Sequence, residues 1–184
     1  LLMVYDTLAW ARARRGAWGE AVAFNEAELA LAERLGRMDF MARAAWNRAG
    51  HALQLGDVLT ARNMADQALT WAATAAPLWL PIAQFAWVDV RLHLGETSEA
   101  RDLLDESRES ALDHPRPSVR ARWHHSRACV ALAEGQIDIA LEHFAASRRL
   151  CTDHPDPYTP LWAADLKLAE ALLEAGDVES AERL

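Results

Sequence analysis

The chain is poor in lysine: Lys167 stands alone against 18 arginines, and acidic residues leave a net charge of −8. An acidic chain has no excess positive face with which to hold a phosphate backbone, so nucleic acid is not expected as a direct partner. Cysteine is equally scarce. Cys129 and Cys151 are the only two, too few for a disulfide framework. If the chain folds back near Gly135, they are offset by about 15 Å along the helix axis, beyond disulfide reach. A reducing, cytoplasmic setting is the expectation. No glycine-rich phosphate loop, H-E-x-x-H or C-x-x-C occurs, so the common signatures of nucleotide, zinc-protease and thiol-redox chemistry are missing. Leu1 to Leu8 is apolar but broken by Asp6, and no cleavage-like site follows to make it a secretory leader. Residues 67–88 lack charge and are long enough to span a bilayer. Pro77 and Pro81 interrupt them where a loop is due, so buried packing rather than a membrane is expected.

What the sequence does have is a short motif five times over, a glycine followed five residues later by alanine. The copies are Gly16–Ala21, Gly56–Ala61, Gly95–Ala100, Gly135–Ala140 and Gly176–Ala181, with glycines 40, 39, 40 and 41 residues apart. A regular period in this range marks a repeat architecture. The glycine suits the left-handed residue that closes a helix, and Asp57, Glu96 and Asp177 follow it where a new helix presents its positive end. Seven residues before each glycine stand Ala9, Ala49, Val88, Ala128 and Ala169; sixteen after stand Ala32, Ala72, Ala111 and Cys151. Compact residues at fixed offsets allow two antiparallel helices to approach closely. The predicted unit is a helical hairpin.

The predicted helices are 2–15 and 17–35, 40–55 and 57–75, 80–94 and 96–112, 118–134 and 136–151, then 160–175 and a helix from 177. The repeats run approximately 1–38, 39–77, 78–116, 117–157 and 158–184, the last truncated. Asp39 is read as an N-cap. Asp113-His114-Pro115-Arg116-Pro117 and Asp153-His154-Pro155-Asp156-Pro157 read as matching stops, because proline cannot continue the preceding helix. His114 and His154 are junction residues near helix C-termini, and Thr159-Pro160 reads as an N-cap and first helical residue. The fold class expected is all-α, a right-handed superhelical solenoid of antiparallel hairpins with about 40 residues per repeat. The chain starts on leucine and stops within a helix, and the expectation is a segment of a longer array.

The hairpins resemble tetratricopeptide (TPR) repeats, which carry a small residue in the first helix, a turn glycine and an A-x3-F element in the second. Ala140-Leu-Glu-His-Phe144 reproduces that element, Ala61-x3-Ala65 and Ala100-x3-Leu104 keep it apolar, and Ala21-x3-Asn25 departs from it. The period exceeds the usual 34 residues. In that respect the chain resembles the long-repeat helical sensor region of MalT-like, LuxR-type bacterial signal-transducing regulators. That resemblance implies a regulatory module in a transcriptional regulator, binding a protein, peptide or small inducer and signalling to other domains of the parent chain. The alternative is a generic scaffold mediating protein–protein assembly.

In a stacked array the first helices line a concave surface. Counting back from the glycines, the candidate groove residues are Trp10, Arg43, Trp46, Phe85, Asp89, Arg122 and His125, several of them types that dominate interfaces. The competing reading is that the aromatics are core. An aromatic anchor beside an arginine suits a segment with an apolar residue and an acidic group. For enzymatic chemistry the one candidate is Asp89 and His93 with Cys129 and His125, each pair spaced to share a helix face as a metal or cysteine–histidine site. Against it, Cys129 reads as a small buried apolar residue. The expectation is a non-enzyme with no cofactor and no metal.

Overall fold

The structure, a computed structural model, describes residues 1–154 and 161–183, with backbone alone at 161–164. The described residues form helices and no strand: α1 (Leu2–Ala13), α2 (Trp18–Arg34), α3 (Met38–Gln54), α4 (Val58–Ala75), α5 (Leu80–His93), α6 (Thr97–Leu112), α7 (Pro117–Ala133), α8 (Ile137–Asp153), α9 (Leu161–Glu174) and α10 (Val178–Glu182). A 3-10 turn, Pro77–Trp79, leads into α5. The helices fall within two residues of the predicted boundaries. Pro155, Pro157, Thr159 and Pro160, read as a stop and a cap, lie outside the described residues.

Each hairpin turns as the glycine requires. Gly16 has φ +73°; its N–H donates to Ala13 O at 2.9 Å and the Ala17 N–H to Arg12 O at 3.0 Å. This pair of bonds satisfies carbonyls that a helix end otherwise leaves bare. The same pair closes α3 at Gly56 and α7 at Gly135. Asp57 and Asp177 then cap the next helices, accepting from Thr60 N–H and Ser180 N–H at 3.0 Å. Asp39 does not cap α3. Gly36 repeats the glycine closure, which makes Arg37 the cap and draws Asp39 into the first turn, where both its oxygens accept from the Arg37 guanidinium.

The small positions are where the helices meet. Ala9, Ala21, Ala32, Ala61, Ala72, Ala100, Ala111, Ala128 and Ala140 are fully buried. The chain divides into two compact units, Leu1–Leu94 and Gly95–Leu184. In the first, α1 packs on α2, α2 on α3, α3 on α4, and α5 on both α4 and α3; α1 also touches α3. In the second, α6, α7, α8, α9 and α10 pack in succession, and α7, α8 and α9 share a core of Ala128, Ala131, Ala140, Phe144, Leu168 and Ala171. Among the described residues no helix is long and apolar enough to cross a membrane; the uncharged run 67–88 is shared by the end of α4, the 3-10 turn and α5.

Candidate binding surface and a buried charge cluster

In the first unit the first helices of successive hairpins, α1, α3 and α5, lie side by side. Trp10 on α1, Trp46 on α3 and Asp89 on α5 are each partly exposed. The Arg14 guanidinium lies over the Trp10 ring at 4.7 Å. Phe85 is different: it has no exposed surface and belongs to the core, so it is withdrawn from the groove. Arg43, 8 % exposed, is withdrawn too. Arg122 and His125 sit half-buried on α7, in the second unit. His125 packs edge-on against Phe144, centroids 5.6 Å apart. Burial, then the charges of Arg122 and Lys167, lowers its pKa to about 3.

Arg43 is occupied by the protein itself. Its Nη2 donates to Glu28 Oε1 on α2 at 2.5 Å, its Nε lies 3.6 Å from Asp6 Oδ1 on α1, and its Nη1 meets the Met3 sulfur at 3.1 Å. The Phe40 ring covers the guanidinium at 4.4 Å. Asn47 Nδ2 donates to Asp6 Oδ1 at 2.9 Å. One helical turn further on, the His51 ring and Asn25 Oδ1 share a hydrogen bond at 2.8 Å. Asp6, Asn25 and Glu28 are at most 1 % exposed. Burial raises the Glu28 carboxyl to about pKa 7, against the pull of Arg43 and with a further push from Asp6; burial lowers His51 to about 4.

The spacing rules missed this cluster, yet the sequence marks it. Glu28 stands twelve residues after its glycine, where the other hairpins carry Ala68, Ser107 and Ser147. Asn25 stands where they carry Ala65, Leu104 and Phe144. An acid and an amide at core positions where the other repeats carry apolar or small hydroxyl residues are the sort of departure that marks a special site.

The second unit holds a different polar group. His124 and His143 share a hydrogen bond between their Nδ1 atoms at 2.9 Å, and both rings meet Trp123 edge-on. The Trp123 Nε1–H donates to Leu104 O at 3.1 Å.

Of the enzymatic candidates, Asp89 and His93 are on α5 in the first unit, while His125 and Cys129 are on α7 in the second. Cys129 packs on the Phe144 core, and neither cysteine is in a disulfide. Among the described residues no three His, Cys, Asp or Glu side chains are grouped to hold a metal ion.

Over 99 % of its length the chain superposes on the nearly identical TPR-like repeats of a Podosopora anserina kinesin light chain, at TM-score 0.62 and 20 % identity, covering 90 % of that chain. MamA (41-end) from Desulfovibrio magneticus RS-1 superposes over 99 % of this chain and 89 % of its own at TM-score 0.50 and 16 % identity. The fold is that of a TPR-like helical repeat. No protein-family model and no curated protein matches the sequence.

Proposed function

We propose that the chain is a non-catalytic protein-binding module whose surface on the first unit is formed by α1, α3 and α5. The observation that carries this is the pair of part-exposed tryptophans, Trp10 and Trp46, on neighbouring first helices. Tryptophan combines large contact area with few rotatable bonds and is over-represented among residues that dominate binding energy. Arg43 does not serve as an anchor for an acidic group, because Glu28 and Asp6 already take its charge. The partner is therefore an apolar protein segment, and the net charge of −8 favours basic flanks.

A scaffold that holds partners together is the reading preferred. The 39–41-residue glycine period keeps a second one, the sensor region of a LuxR-type regulator, whose single array would bind a protein, peptide or small inducer. A nucleotide-binding loop and a helix-turn-helix elsewhere in the parent chain would favour the second. For either, Trp46→Ala is expected to weaken binding of a peptide selected on the immobilised chain by about 2 kcal/mol or more, as for a hot spot, with helix content retained. A sharp fall in melting temperature with unchanged affinity would make Trp46 a core residue and end the proposal.

A further inference from the structure

The buried cluster of the first hairpin is unbalanced in charge. Asp6 from α1 and Glu28 from α2 face one guanidinium, Arg43 from α3. Both carboxylates are nearly inaccessible, and each keeps one oxygen, Asp6 Oδ2 and Glu28 Oε2, without a hydrogen-bond partner. With all three ionised, the cluster would hold a net negative charge away from water, which is costly. Arg43 carries one positive charge, so it balances only one of the two carboxylates. Asn47 already donates to Asp6. Nearby His51 is tied to Asn25, and burial keeps its ring neutral at pH 7.

We infer that the cluster takes up a proton on Glu28 when α1, α2 and α3 pack together, so that the first hairpin is a proton-operated latch. The proton removes the excess charge and gives the orphan carboxyl oxygen an O–H. The charged groups acting on Glu28 are Arg43 on α3 and Asp6 on α1, and its pKa of about 7 places the proton's release near neutrality. A carboxyl that binds its proton more tightly in the fold than in the unfolded chain stabilises the fold at low pH, and that stabilisation is lost as the pH rises through 7. Loss of the proton leaves two carboxylates competing for Arg43 and loosens α1 against α2 and α3. The fold itself does not need the acid, since the α3–α4 and α7–α8 hairpins carry Ala68 and Ser147 at this position.

The test is hydrogen exchange and thermal unfolding of the whole chain at about pH 6 and pH 8.5, with exchange corrected for its intrinsic pH dependence. The latch predicts that α1 amides lose protection roughly tenfold or more at the higher pH, while those of α7 and α8 hold theirs. Glu28→Gln, which keeps the shape without the titration, is expected to abolish that difference and to melt above the native chain at pH 8.5. Glu28→Ser, the residue of the second unit's hairpins, serves if the amide packs poorly. Carbon-13 titration of the Glu28 carboxyl gives a direct reading. A midpoint near the ordinary 4.5, or a pH difference that persists in both variants, would overturn the inference.

Discussion

Replacing Arg43 by methionine tests how the first unit tolerates its buried charges. Methionine keeps the unbranched aliphatic stem but removes the guanidinium, and with it the contact over the Phe40 ring. Glu28 then loses its 2.5 Å donor and Asp6 its only opposite charge among the cluster's side chains. Breaking one partner out of a buried ion pair costs about 3–5 kcal/mol, because the charge left behind has no water to replace it. Against a typical unfolding free energy of about 5–15 kcal/mol, the first unit would lose a large share of its stability. The loss should shrink at about pH 5, where the raised Glu28 carboxyl is already protonated. Urea unfolding at about pH 5 and 7.5, followed by circular dichroism and by exchange in α1, reads both effects. A cost below about 1 kcal/mol at pH 7.5, the value of an exposed pair, would refute the reasoning, as would a cost independent of pH.

Gly50 lies inside α3 with open space around a built Cβ and no positive φ, so Gly50→Ala should raise stability by about 1 kcal/mol through helix propensity alone, read as a higher urea midpoint. Gly135 has φ +73°, so there alanine should instead cost about 1–2 kcal/mol of left-handed strain and lower that midpoint. Phe144 is fully enclosed in the second unit's core; Phe144→Ala should cost about 3–5 kcal/mol as a cavity, lowering the melting temperature of α7 and α8 while α1 to α4 keep their exchange protection. On the acid side, His51 and His124 are held at about 4 and His125 at about 3. The unfolded chain takes up those protons first, so stability that is full above pH 6.5 is lost as the pH falls through about 4. Thermal scans from pH 7 to 4 in the Glu28→Gln background isolate this fall, and a flat melting temperature would contradict it.

The hairpins were legible because each is local. A glycine with positive φ, a compact residue seven before it and an alanine five after it act within one pair of helices, and the period carries the rule down the chain. Which residue of a first helix reaches the surface is a different question. Successive side chains are turned by about 100°, so the answer depends on how three neighbouring helices cross, which no spacing records. That is why Phe85, ten residues before its glycine like Trp46, and Arg43, thirteen before, are inside. The charge cluster was hidden for a related reason: Asp6, Glu28 and Arg43 come from three helices. Only the repeat's own expectations, broken at Asn25 and Glu28, point to it.

The first helices of the first unit are expected to bind a protein segment. Chemical-shift mapping with a peptide selected on the immobilised chain tests this most directly. The Trp10 and Trp46 indole signals are expected to move together with backbone amides of α1, α3 and α5, and Trp46→Ala to suppress the whole set. Shifts confined to α2 and α4, or binding that leaves both indoles unmoved, would contradict it.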